Sequence, residues 1–177
     1  NAQFSLRVTY SLQGTGIGTG LIKETISVTN LSGLNLDFHL FQYSDFNLLG
    51  GGSDSVVISG SGPGYDSVIQ WQGANAIQEG IITPPADRGE VDLAYNTLNN
   101  LNGVAGYNLG DSGTSSTGPI TGDVTWSFQW DRDIGAGGGL DIFKDKTLSV
   151  EPIPEPSVLA LIAASLVTLV GAGRRRN

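Results

Sequence analysis

The chain has 177 residues and a formal charge of −8, with 26 glycines and no cysteine. The missing cysteines exclude a disulfide framework, a thiolate metal site and a Cys–His nucleophile. Residues 1–150 carry six basic against fifteen acidic side chains, a net of −9 with no basic cluster, which argues against nucleic acid and anionic lipid as partners.

Glycine stands at about twice its usual 7% and falls between apolar runs without a collagen period. That distribution predicts many turns joining short strands. Residues 4–12 alternate strictly, with Phe4, Leu6, Val8, Tyr10 and Leu12 on one face and Ser5, Arg7, Thr9 and Ser11 on the other. Period 2 predicts a half-buried strand. Residues 14–20 are glycine-alternating, fail G-x-G-x-x-G and read as a flexible turn. Residues 21–30 predict a second strand with Ile22, Glu24, Ile26 and Val28 on one face.

Residues 34–49 place Leu36, Phe38 and Leu40 on one face and Asp37, His39, Phe41 and Tyr43 on the other. Apolar groups on both faces predict a central strand, or one covered by a loop. Short strands are expected at 55–59, at 67–72 with Ile69 and Trp71 on one face, and at 89–93, with a helical turn over 74–80. Residues 96–123 are poor in apolar anchors and predict loop, with at most a short strand near 104–109. Residues 124–134 set Val124, Trp126, Phe128 and Trp130 against Thr125, Ser127, Gln129 and Asp131 and predict the main core strand. A last strand is expected over 143–150. Roughly seven to nine strands without a helix predict an all-β antiparallel sandwich of Greek-key or jelly-roll type.

Few residues carry chemistry. His39 is the only histidine, so zinc is excluded; a lone histidine among aromatics reads as a packed strand residue. A Ser-His-Asp triad would need His39, and no G-x-S-x-G elbow exists to present a serine. Asp131 with Asp133, and Glu90 with Asp92, are paired carboxylates about 7 Å apart on one strand face, the raw material of glycoside hydrolysis. Solvated strands show the same alternation, so the domain is read as non-enzymatic. Two Gly-Gly-Gly-x-Asp turns end on Asp54 and Asp141, and Asp131 and Asp133 precede the second; these four are candidate Ca²⁺ ligands, although neither turn completes an EF-hand loop. Trp126 and Trp130 alternate in register with core residues, which leaves Trp71, between two glutamines, as the candidate sugar platform.

Residues 152–177 have a different organisation. Pro154, Glu155 and Pro156 precede an uncharged apolar run over 158–173, and Arg174, Arg175 and Arg176 close it. As a helix the run would span roughly 24 Å, at the short end for a membrane crossing, with the arginines on the cytoplasmic side. The expected division is an extracellular β-sandwich over 1–150, a Pro-Glu-Pro linker or recognition motif over 151–157, and a transmembrane helix with basic tail over 158–177. Because the chain starts at Asn1, with Asn1-Ala2 resembling the end of an A-x-A site, a removed signal peptide is also expected.

This three-part tail resembles the PEP-CTERM sorting signal of Gram-negative, polysaccharide-producing bacteria. Residues 28–49 are similar to a segment found in one group of such proteins, whose function is unknown. The resemblance implies an exosortase as partner, cutting near Pro154–Pro156 and releasing the protein to the cell surface or exopolysaccharide matrix. The roles that follow are structural or adhesive, with a carbohydrate-binding module or a fibre subunit self-associating through sheet edges as alternatives.

Overall fold

The computed structural model describes residues 3–50, 52–114 and 116–150. The Pro154-Glu155-Pro156 motif, the apolar run and Arg174, Arg175 and Arg176 lie outside the described residues. Among the described residues, no helix is long and apolar enough to cross a membrane.

The described residues form ten strands and one α-helix in this order: β1 (Phe4–Gly16), β2 (Thr19–Asn30), β3 (Leu36–Ser44), β4 (Asp54–Ser59), β5 (Ser67–Gln72), β6 (Asn75–Thr83), β7 (Arg88–Leu93), α1 (Asn96–Gly103), β8 (Ile120–Gly122), β9 (Val124–Ile134) and β10 (Gly139–Ser149). All ladders between these strands are antiparallel. They make a seven-stranded sheet in the order β1-β2-β10-β6-β5-β4-β8 and a three-stranded sheet in the order β3-β9-β7.

The inner faces of the two sheets meet in one core. β9 supplies Val124, Trp126, Phe128 and Trp130, all buried as their alternation predicts. Opposite them stand Val56, Ile58, Val68, Ile81 and Ile142 of the large sheet. Trp126 packs on Phe46 and Phe128, and Phe128 on Trp130, with ring centroids 5.9 to 6.1 Å apart. Both indole N–H groups are satisfied, Trp126 donating to Gln70 Oε1 at 3.1 Å and Trp130 to the Pro84 carbonyl at 3.0 Å. Each buried large side chain of this kind contributes about 1.5–3 kcal/mol through surface removed from water.

Three strands cannot cover seven, and the overhang explains the first departure from expectation. β1 is exposed along its whole length rather than half-buried. Its apolar residues do face inward, since Leu6 pairs with the buried Val28 and Val8 with the buried Ile26. The small sheet leaves them exposed, although Phe4 meets it edge-on to Phe38 at 5.4 Å. The expected flexible turn before β2 is a tight hairpin. Gly18 sits there at φ 71°, and its carbonyl accepts from the Val150 N–H at 2.8 Å. A Cβ at this position would run into the Val150 carbonyl.

Other departures have equally local causes. Residues 75–83 form β6 and not a helical turn, because Ile77, Glu79 and Ile81 all point inward and Glu79 hides the period-2 pattern. β3 is an edge strand and not a central one; its outward Phe41 is half-buried and faces the connection that follows β7 across a cavity. Residues 104–109 hold no strand, whereas α1 and β8 form where composition predicts loop. Between them, the segment 112–114 bonds to both sheets: Val91 N–H to Ser112 O and Ile58 N–H to Gly113 O.

Where the apolar core ends toward β1, four charged side chains fill the interior. Lys144 Nζ lies 2.9 Å from Glu24 Oε2 and 3.5 Å from Glu79 Oε1. Lys146 Nζ lies 3.2 Å from Glu24 Oε2 and 2.5 Å from Glu79 Oε2. Gln42 of β3 caps the group from the opposite sheet, bonding Glu79 and Lys144, and Tyr10 O–H donates to Glu24 at 3.1 Å. Burial pushes the Lys144 ammonium down. Lys146 is held up against its burial by Glu79 and then Glu24.

Candidate functional site

The outer face of the three-stranded sheet is polar by sequence yet largely covered. β9 presents Thr125, Ser127, Gln129 and Asp131 there; register sets Tyr43, Phe41 and His39 of β3 and Asp92, Glu90 and Arg88 of β7 alongside. Thr125, Ser127, Gln129 and Glu90 are buried, because α1 and the residues after it fold back over them. Side-chain hydrogen bonds hold this cover in place. Glu90 accepts from Thr97 Oγ1, from Tyr107 O–H at 3.0 and 2.8 Å to its two oxygens, and from the Gly110 N–H. Gln129 accepts from the Leu109 N–H at 2.9 Å and donates to Asn108 Oδ1 at 2.6 Å.

Beside this seal the cover stands off the sheet, leaving an open cavity of about 440 Å³ lined by His39, Phe41, Leu101, Val104, Gly106, Tyr107 and Asn108. The volume lies within the ordinary range of small-molecule sites. A second concavity of about 400 Å³, lined by Gly62, Pro63, Asp87, Arg88, Asp111 and Asp131, opens across Asp131. Arg88 pairs with Asp111 at 3.2 Å, and Arg132 pairs with Asp87.

His39 and Asp131 stand where the two concavities meet. His39 Nδ1 lies 2.6 Å from Asp131 Oδ1 and Nε2 lies 3.2 Å from Asp37 Oδ1. Gln129 Nε2 fixes Asp131 from behind at 2.8 and 3.0 Å. The bond to Asp131 raises the histidine pKa; burial opposes it, and Asp37 adds to the rise. Partial burial pushes the Asp131 carboxyl up, but bonds from Gln129 and His39 outweigh it and leave the pKa below the ordinary carboxylate value. His39 is thus half-exposed between two carboxylates and not packed among aromatics as its strand suggests. With each ring nitrogen directed at a carboxylate, neither faces a hydroxyl that it could activate.

The other predicted residues do not gather here. Trp71 is half-buried on the outward face of the large sheet, between Ser55 and Ala76. Its inward neighbours on β5 are Val68 and Gln70, so Trp71 and Ile69 share the outer face as expected. The four candidate Ca²⁺ ligands are dispersed. Asp54 is buried and accepts from the Leu48 N–H at 3.1 Å and from Gln70 Nε2 at 2.6 Å. Asp131 is taken by His39 and Gln129, whereas Asp133 and Asp141 are exposed. Among the described residues, no three His, Asp or Glu groups are placed to hold one metal ion. Of the paired carboxylates, Glu90 is sealed under Tyr107 and Gly110 while Asp92 accepts from the Leu93 N–H and from Asn96.

Leu101, Val104, Tyr107 and Asn108 lie in a stretch without periodicity, so no pattern in the chain marks them as site residues. Gln129 and Glu90 read as solvated outward groups in the chain, and become site residues only because the connection after β7 crosses them.

Fold and site define an all-β protein of two packed antiparallel sheets, with a partly covered outer face that holds a mixed aromatic and polar cavity. No family model matches the chain, and no curated protein matches it.

Proposed function

We propose that the chain is a non-enzymatic exported protein of the cell surface or exopolysaccharide matrix, with a structural or adhesive role, sorted through its C-terminal signal by an exosortase. The observation that carries this reading is the order of the tail: Pro154-Glu155-Pro156, an uncharged apolar run, then Arg174, Arg175 and Arg176. Arginines following an apolar span are retained on the cytoplasmic side, which leaves the β domain outside. An acidic, cysteine-free domain suits a hydrated polymer matrix, where net charge opposes nonspecific association. Mass spectrometry of surface material from an exosortase-bearing host tests it. The expected product ends near Pro154–Pro156 and lacks residues 158–173; surface material with the tail intact would overturn processing.

A second reading, a carbohydrate-binding module of the matrix, is favoured by the cavity over β3. Phe41 and Tyr107 offer aromatic surface, and Asn108 and the half-exposed His39 set polar groups beside it, the combination that polyhydroxylated ligands require. This moves the candidate sugar surface from Trp71 to Tyr107. Calorimetric titration with the host polysaccharide decides it: Tyr107→Ala and Asn108→Ala should weaken binding at least tenfold while Trp71→Ala leaves it unchanged. The reverse pattern would restore Trp71 as the platform.

A further inference from the structure

The first strand leaves one long edge of the large sheet unpaired. β1 is the outermost strand, 13 residues long, and among the described residues its second side carries no partner strand. Its inward apolar stripe runs from 40% exposure at Phe4 to 78% at Leu12. Sheet edges in stable monomers are kept short or blunted by proline, inward charge or bulges. Between Phe4 and Leu12 there is no proline and no bulge, and the single charge, Arg7, points to the outer face. The opposite edge is β8, only three residues long. A chain with one long edge and one very short one forms a closed pair more readily than an open fibre. β10, the other candidate for edge pairing near the C-terminal end of the domain, is bonded on both sides, to β2 and β6.

The ladder selects the register. The Gln3 carbonyl accepts from the Leu31 N–H at 2.9 Å, so odd-numbered residues direct their backbone groups toward β2. Alternation along an unbulged strand then leaves the N–H and C=O of Phe4, Leu6, Val8, Tyr10 and Leu12 at the free edge. An antiparallel pair centred on Val8 sets Val8 against Val8, Leu6 against Tyr10 and Phe4 against Leu12. All five free residues are paired and about ten ladder hydrogen bonds form, two for each hydrogen-bonded pair. The five apolar side chains meet apolar partners on the same face, and Arg7 faces Thr9. A parallel in-register pair would instead set Arg7 against Arg7, and directly opposed like charges destabilise.

We propose that two copies of this chain associate through an antiparallel β1–β1 pair with its two-fold axis at Val8, making one continuous fourteen-stranded sheet. The proposal needs only the β1 edge and is independent of the sorting reading. It covers the overhanging stripe from the side, strand against strand, and leaves the cavity over β3 free.

Single cysteines in the full, otherwise cysteine-free chain test it. Hydrogen-bonded antiparallel pairs hold their Cα atoms about 5.5 Å apart, within reach of a disulfide. On oxidation, Val8→Cys should give at least tenfold more cross-linked dimer on a non-reducing gel than Leu12→Cys. A mixture of Phe4→Cys and Leu12→Cys chains should cross-link where neither does alone. Because β1 is exposed on both faces, these variants should retain the wild-type circular dichroism spectrum. Equal cross-linking of Val8→Cys and Leu12→Cys would show association by another surface, such as the apolar run over 158–173, and overturn the proposal. A cysteine at position 8 that does not cross-link at all would do the same, leaving the edge covered by the chain's own tail or by a different partner.

Discussion

Lys146 Nζ and Glu79 Oε2 sit 2.5 Å apart on adjacent strands β10 and β6, with Glu79 wholly buried. Lys144 and Glu24 complete an alternating quartet, so each carboxylate faces two ammonium groups. Two residues at period 2 on β10 supply both cations, and β2 and β6, which flank it, supply one anion each. Each charge at these positions carries a desolvation cost, and the attraction of its neighbours offsets that cost only while the quartet is complete.

Removing one member should therefore destabilise strongly. Glu79→Leu leaves two buried cations with a single carboxylate and should lower unfolding free energy by about 3–5 kcal/mol. The double change Glu79→Leu with Lys146→Met should recover most of that loss, because it removes a pair instead of stranding a charge. Urea denaturation of the two variants checks both values; equal losses would show that packing and not charge governs the position.

Acid should act through Glu24. Burial raises its pKa, but Lys144 and then Lys146 outweigh burial, and its folded value lies below the ordinary one. A depressed carboxylate contributes stability that is present above its unfolded pKa and lost as pH falls through the folded value. Thermal melts from pH 6 downward should show this loss, and Glu24→Gln should be less stable at neutral pH with a shallower acid limb.

His39 has the opposite sign. Its pKa is raised, chiefly by the bond to Asp131 and next by Asp37. The stability it contributes is present below the unfolded value and is lost as pH rises through the folded one. Being half-exposed, the pair should move overall stability only slightly. An NMR titration of the single imidazole should give a midpoint above the ordinary histidine value, and Asp131→Asn should bring it down.

The cover over β9 depends on Glu90. Tyr107→Phe removes bonds of 3.0 and 2.8 Å to a buried carboxylate and should cost about 1.5–3 kcal/mol. Hydrogen exchange resolves where: the Gly110 and Leu109 amides, which bond to Glu90 and Gln129, should exchange faster while β9 amides stay protected.

Strict alternation makes β1 and β9 legible as strands from the chain alone, and β2 is readable through its inward Ile26 and Val28. Each side chain there reports its own face, and period 2 needs no knowledge of what lies opposite. Residues 67–72 are readable for the same reason, and β5 occupies that range. The pattern fails in β6, where inward Asn75 and Glu79 and outward Ala76 and Ile82 erase the contrast between the two faces. It fails again at α1, which has no capping side-chain bond and is held by the contact of Thr97 with Glu90 from another element.

By itself the sequence determined an all-β chain with a basic-ended apolar tail, acidic overall and without thiol chemistry. Composition and local periodicity are properties of neighbouring residues, so they survive without a fold. Which sheet covers which strand, and therefore that β1 lies bare while Glu24, Glu79, Lys144 and Lys146 lie inside, was decided only in three dimensions. The same holds for the meeting of His39 with Asp131, 92 positions apart. Those outcomes depend on strand order and on the unequal width of two sheets, and neither is a property of any local stretch of chain.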